Sequence, residues 1–270
     1  MRARILVAVI CIPLILLVLF VFPPVALPIA MASLSALAVY EMLCGTKFVT
    51  HMRMVLYGMA IGASIPIWSY LGSPFAPALA GLLLFAILLF GEVMAAPGKV
   101  KLEQVGGVLF ASTLLPFFLS SLIRIMAMEH GSLLILLPFA IAFGSDAAAL
   151  FTGVAFGKRK LAPRISPKKT VEGALGGLVG SVLIALLYGL IIGIGFHRPV
   201  HYLAIAVYGA VGSAISQFGD LAFSAVKREF AIKDYGKLLP GHGGVLDRFD
   251  SVIFCAPLFE LLFLVWPVIL

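Results

Sequence analysis

Residues 172–195 read E-G-A-L-G-G-L-V-G-S-V-L-I-A-L-L-Y-G-L-I-I-G-I-G, 24 positions with one charge, at the first. About 20 apolar residues carry a helix through the hydrocarbon core of a bilayer, and this run is long enough. Lipid offers the backbone no hydrogen-bond partner, so each N–H and C=O must be satisfied inside the segment, which makes the run a helix. The pattern recurs from end to end: apolar runs fall at 4–22, 25–44, 53–71, 74–94, 104–125, 131–157, 172–195, 200–228 and 249–269. Of the 270 residues 62% are hydrophobic and 11% charged, and mean hydropathy is +1.15, which leaves no stretch for a soluble domain. The expected fold class is all-α, a polytopic integral membrane bundle of about nine transmembrane helices.

Working outward, short polar or Pro/Gly breaks separate the runs, such as Phe22-Pro23-Pro24 and Gly72-Ser73-Pro74. Arg2 and Arg4 before the first run resemble a secretory leader, but the run exceeds the usual apolar core of about 7–15 residues and reads as a first span. Five spans fill residues 1–130; residues 131–270 hold four more and two polar loops, 158–171 and 229–248, where chemistry is expected. Cys11, Cys44 and Cys255 lie in or beside apolar runs without metal-ligand spacing and read as packing residues.

Charge sets the orientation. With the N-terminus inside, the cytoplasmic segments hold Arg2 and Arg4, Lys47 and Arg53, Lys99 and Lys101, six cations from Lys158 to Lys169 and five from Lys227 to Arg248. Only Arg124 and Arg198 fall on the other face, so the excess of Lys and Arg places the N-terminus in the cytoplasm and the C-terminus outside. A net charge of +7 is thereby massed on one face, suited to anionic headgroups and anionic soluble substrates. Nucleic acid is not indicated, because no basic stretch is interleaved with aromatics for base stacking.

Three regions depart from plain membrane helix. Gly144-Ser145-Asp146 sets a carboxylate about 22 Å from the outer end of its span, in the cytoplasmic half of the bilayer, where it must face a cavity or a partner helix. Ser166-Pro167-Lys168-Lys169-Thr170 follows; Thr170 can cap the helix that begins near Val171, and free N–H groups beside two lysines suit a phosphate. In that helix Gly173, Gly177 and Ser181 share a face, a mark of close packing inside a subunit or between two, as in a homodimer. Third, Ser213, Ser216, Asp220, Ser224 and Lys227 form one polar stripe, with Ser213 and Ser216 expected on the floor of a cavity. Asp220, Asp247 and Asp250 are expected at one depth beside Lys227, Arg228, Lys233 and Arg248; such carboxylates repel unless a divalent cation joins them, and oxygen donors suit magnesium. A metal with Lys and Arg is equipment for phosphoryl or nucleotidyl transfer.

The stretch from Ser224 to Asp250 carries Lys227-Arg228, Lys233-Asp234, Gly236, Pro240, His242-Gly243-Gly244, Asp247-Arg248 and Asp250. In that register it resembles the signature of the phosphatidate cytidylyltransferases, the CDP-diacylglycerol synthases. Upstream, Asp146, Gly153, Phe156-Gly157-Lys158 and Ser166 to Gly173 are also similar, while Leu150 stands where relatives often carry an aromatic. The similarity covers about residues 144–255, and the earlier spans match only in hydropathy. The resemblance implies that CTP and phosphatidic acid give CDP-diacylglycerol and pyrophosphate at the cytoplasmic face of the inner membrane, with magnesium, alone or beside a second cation. It implies Asp220 and Asp247 on the metal with Asp250 as a further ligand or outer support. Phosphates fall to Lys227, Arg228, Arg248, Lys168, Lys169 and Thr170; Ser224, Lys233 and Asp146 line the substrates, and His242 shapes the Gly-rich turn or donates to pyrophosphate.

Other classes fit part of the pattern. A cation-coupled transporter would also bury Asp146, Asp220 and Glu260, but its charge would not be massed on one face. A headgroup-binding scaffold explains the basic face and leaves the aspartates unexplained. A CTP-dependent transferase or kinase acting on another lipid, such as a polyprenol, shares every feature named. The charge asymmetry predicts that a tag at Leu270 is labelled from outside the cell and a tag at Met1 is not; reversed labelling would put the polar loops on the wrong side for a cytoplasmic nucleotide.

Overall fold

The computed structural model describes residues 13–72, 75–236 and 243–269. After a helical stretch at 13–20 come α1 (Ala26–Tyr40), which runs into a π-helical turn (Glu41–Gly45), α2 (Met52–Tyr70), α3 (Phe75–Ala95), α4 (Leu102–Leu119) and α5 (Ser121–Met126). Then follow α6 (Gly131–Leu134), α7 (Leu136–Phe156), strands β1 (Lys160–Ala162) and β2 (Ser166–Thr170), α8 (Val171–Gly195), α9 (Tyr202–Glu229) and α10 (Leu246–Val265).

Six stretches among the described residues are long and apolar enough to cross a membrane: Ala26–Gly45, Phe75–Ala95, Leu102–Met126, Gly131–Phe156, Val171–Gly195 and Tyr202–Glu229. The chain is a multi-helix membrane protein. Of the other expected spans, 4–22 is described only from residue 13 on, while 53–71 and 249–269 fall on helices α2 and α10. Arg53, Ser64 and Ser69 dilute the apolar character of α2, as Asp247, Arg248, Asp250 and Glu260 dilute that of α10. Most of the segment expected as a polar loop at 158–171 is an antiparallel hairpin, with Lys160 opposite Thr170 and Ala162 opposite Ser166. Its open end is tied by Glu172, whose carboxylate accepts the Lys158 and Arg159 backbone N–H groups at 2.9 and 3.1 Å.

The described residues group into two compact units. The first comprises residues up to Arg124 with Glu229–Arg248; in it α2 packs on α1, α3 and α4. Close approach is possible because α2 offers glycines: a methyl at Gly58 would stand 2.5 Å from Ser112 Oγ, and one at Gly62 3.0 Å from Val39. Tyr57 donates to Glu92 at 3.2 Å and Arg53 lies 3.8 Å from the same carboxylate, joining α2 to α3 across apolar surroundings. On α3 only Phe85 and Leu89 are buried; Leu79, Leu83, Ile87 and Phe90 face outward, as a helix bathed in lipid requires.

In the second unit, Ile125–Arg228 with the stretch from Phe249 on, α7 and α8 form the tightest pair. Gly173, Gly177 and Ser181 of α8 are all buried, so the small-residue face read from sequence serves packing within this chain. A methyl at Gly173 would come 2.8 Å from the Ala149 carbonyl oxygen and one at Gly177 3.0 Å from that of Ser145, while one at Gly176 would overlap Thr152. Aromatic contacts hold α9 against α10: Tyr208 meets Phe259 edge-on at 5.6 Å and donates to the Trp266 carbonyl at 2.6 Å.

Because the obstruction at Gly176 is a β-branched side chain on a packed helix, Gly176→Ala should lower stability by roughly 1–3 kcal/mol. Gly91→Ala, where nothing lies within 4 Å, should leave it unchanged or slightly raised. Thermal unfolding in detergent compares the two, and equal midpoints would show that α7 and α8 are not in close contact.

Candidate active site

The second unit holds a cavity of about 450 Å³ where α7, the hairpin, the start of α8 and α9 come together. Its lining includes Asp146, Lys168, Lys169, Thr170, Gln217 and Asp220. Thr170 performs the capping role expected of it: its backbone is extended and its Oγ1 accepts the Gly173 N–H at 3.1 Å, which fixes the first turn of α8 at the cavity wall. The neighbouring Gly153 and Gly173 keep this wall open, since a methyl at either would stand within 3.0 Å of Thr170 Oγ1.

Charge here is compensated locally. The Lys169 ammonium pairs directly with the Asp220 carboxylate, which also accepts the Ser224 hydroxyl at 3.2 Å, one helical turn away. Asp250 is buried, accepts the Ser251 N–H at 2.8 Å and lies within electrostatic reach of Asp220, Lys227 and Asp146. Ser251 Oγ stands 3.4 Å from both Asp250 Oδ1 and Asp146 Oδ2, spanning two carboxylates with one hydroxyl. Lys227 is itself buried, and a buried ammonium needs such carboxylates near it. Arg228 donates from Nε to the Ile165 carbonyl at 3.1 Å, tying the end of α9 to the hairpin turn.

Asp247 belongs to the first unit, where the backbone satisfies it: Oδ2 accepts the Tyr235 N–H at 2.8 Å and the Gly244 N–H at 2.9 Å. Gly243 before it has φ +84°, a left-handed conformation that glycine adopts without strain and that re-aims the chain into α10. Lys233, Asp234 and Arg248 are exposed, and His242 lies outside the described residues.

Of the residues expected at the site, the second unit therefore holds Asp146, Lys168, Lys169, Thr170, Asp220, Ser224, Lys227, Arg228 and Asp250. Ser213 and Ser216 were expected on the cavity floor and are not there. Both are fully buried; Ser213 Oγ lies 2.7 Å from Ser145 Oγ in a bridge between α9 and α7. Gln217 takes the cavity position, with its amide donating to the Ala174 carbonyl at 3.1 Å and to Ser213 Oγ at 3.1 Å. Sequence reasoning also passed over Glu41, a buried carboxylate that accepts the Val245 and Leu246 N–H groups at 3.0 and 2.8 Å. The signal was available: Glu41 is the one acidic residue in its apolar run, 25–44. Among the described residues, no group of three or more His, Cys, Asp or Glu side chains is placed to hold a metal ion.

A family model described as the cytidylyltransferase family matches residues 2–266. A phosphatidate cytidylyltransferase of Haemophilus influenzae is 32% identical, with 96% of this chain and 97% of the relative covered. A Bacillus subtilis protein of the same description is 36% identical over 64% of each chain. An Escherichia coli protein described as uncharacterized, YnbB, is 33% identical over 78% of this chain and 75% of its own length.

Removing the Thr170 cap tests the wall of the cavity. Thr170→Val keeps the shape but loses the acceptor and should cost about 1 kcal/mol of stability, whereas Thr170→Ser should cost almost nothing. Thermal unfolding in detergent reads the difference; no loss in the valine variant would mean that the start of α8 is held by other contacts.

Proposed function

This chain belongs to the cytidylyltransferase family, matched over residues 2–266, and from that membership we propose that it converts CTP and phosphatidic acid to CDP-diacylglycerol and pyrophosphate. The observation that carries this reading is similarity along nearly the whole length of a phosphatidate cytidylyltransferase, together with a cavity in the second unit of a membrane protein whose lining includes Asp146, Lys168, Lys169 and Asp220. A phosphate oxygen of the lipid attacks the α-phosphorus of CTP, the bond to the bridging oxygen breaks, and pyrophosphate leaves with that electron pair. The attacking oxygen is already anionic, so no general base and no covalent enzyme intermediate is required.

What the protein must supply is relief of repulsion between two polyanions. Lys168, Lys169 and the free N–H groups of the α8 start are suited to one phosphate group, and Lys227, Arg228 and Arg248 to others. Lys233 and His242 would contribute at the signature turn, and Ser224 and Asp146 within the second unit. Asp220 and Asp250 of the second unit and Asp247 of the first are each a hard oxygen donor of the kind magnesium takes, and the family resemblance supports them as the residues that would hold it. Bound there, magnesium would neutralise developing charge on the transferring phosphoryl group. The massed cations support a site that opens to the cytoplasm, in the inner membrane, with lipid entering sideways and nucleotide from water.

Purified protein incubated with CTP, magnesium and a panel of lipid phosphates should yield a liponucleotide and pyrophosphate with phosphatidic acid. Product from a polyprenyl phosphate and none from phosphatidic acid would move the reading to another lipid. Asp220→Asn and Asp247→Asn should each bring turnover to background while the protein still elutes as a folded species in detergent. Near-normal turnover in either variant would remove its aspartate from the site.

A further inference from the structure

Glu41 stands at the start of the π-helical turn that ends α1, with 4% of its surface exposed. Its two oxygens divide between consecutive backbone donors, Oε1 from Val245 and Oε2 from Leu246. Leu246 opens α10, so these are N–H groups that the helix itself leaves without a partner. The carboxylate thus caps α10 from a distant part of the chain, through charge-assisted bonds that are stronger than neutral ones.

The surroundings are shaped to this carboxylate. A methyl added at Gly236 or at Gly244 would overlap it, and one at Gly236 would also come 3.1 Å from the Gly244 Cα. A methyl at Gly45 would overlap the Tyr235 carbonyl oxygen, so the π-helical turn and the Tyr235 backbone are in direct contact. Asp247, one residue past the Glu41 contacts, grips the same two backbone pieces through Tyr235 and Gly244. Two carboxylates therefore hold the same two backbone pieces through different amides, Glu41 those of Val245 and Leu246 and Asp247 those of Tyr235 and Gly244.

We propose that Glu41 is a positioning residue for the signature turn, acting through Val245 and Leu246 to set the placement of the Asp247 carboxylate. Its importance for turnover rests on the cytidylyltransfer reading; its hold on the turn does not. Glutamine at this position keeps the shape but presents an NH₂ group to one of two backbone donors, which breaks one bond and sets donor against donor.

The test compares Glu41→Gln with wild type in the full-length protein in detergent. Three quantities are measured: kcat and KM for CTP and phosphatidic acid, backbone hydrogen exchange by mass spectrometry, and the thermal midpoint. The expected result is a kcat lower by about 10- to 100-fold, as for loss of groups that orient ligand-bearing side chains. Exchange should quicken in peptides carrying Tyr235, Gly244, Val245 and Leu246 and stay unchanged in those from 202–228. An unchanged kcat, or exchange that quickens equally everywhere, would overturn the proposal, the second by reducing Glu41 to a general stabiliser. Should Glu41→Gln fail to accumulate, Gly244→Ala disturbs the same contact from the other side and should reproduce the local exchange and the fall in kcat; wild-type behaviour there would also overturn it. If wild-type protein transfers no cytidylyl group, the functional reading falls, and the exchange comparison alone decides whether Glu41 holds the turn.

Discussion

An ionised group among apolar helices must be neutralised or hydrogen-bonded where it stands, because neither lipid nor packed side chains will solvate it. This requirement accounts for the arrangement of nearly every polar residue discussed above. For Glu41 and Asp247, in the first unit, the solution is carboxylate to backbone: each accepts two main-chain N–H groups. For Asp220, in the second, it is carboxylate to side chain, with Lys169 and the Ser224 hydroxyl, while Asp250 takes both the N–H and the hydroxyl of Ser251 in the field of Lys227. The two solutions suit different duties. Backbone donors are fixed by the fold and hold a carboxylate still, whereas a lysine can swing away and release both its own charge and that of its partner.

Such releasable pairs fit a protein whose substrates are themselves highly charged. A cavity lined by Lys168, Lys169, Asp146 and Asp220 carries both signs within a small volume. On the proposed function, an arriving phosphate would find ammonium groups there, and a cation accompanying it would find carboxylates. The rigid parts around it are the capped start of α8 and the glycine-lined seam between α7 and α8, which hold these side chains on helices and a hairpin rather than on a free loop.

Much of this was readable from residue order because the signals were local. A threonine before an apolar run announced a cap, small residues at one-turn spacing announced a seam, and Asp146, Lys168, Lys169 and Asp220 were singled out from charge inside or beside spans. What sequence could not rank was which of several polar residues on one helix meets the cavity. Ser213 and Gln217 are one turn apart, and only packing against α7 decides that the short hydroxyl bridges to Ser145 while the longer amide reaches the cavity. The hairpin at 160–170 was missed because its strands are three and five residues long and rich in lysine. Glu41 escaped because its partners are main-chain groups near residue 245, and backbone donors leave no mark in a sequence. Two of the expected spans had too many polar residues for apolar length alone to establish them, though both are helices.

Glu41 and the glycines around it also constrain how such a chain can drift over generations. Any side chain larger than hydrogen at Gly236 or Gly244 collides with the carboxylate, and shortening the carboxylate strands two amides while leaving the glycines with nothing to accommodate. A change at any one member therefore disturbs the contacts of the others. Positions far apart in the chain, 41 and 236–246, are thereby constrained together, and a hybrid that joins an N-terminal half with a different residue at 41 to a C-terminal half of this type would lose the bonds to Val245 and Leu246.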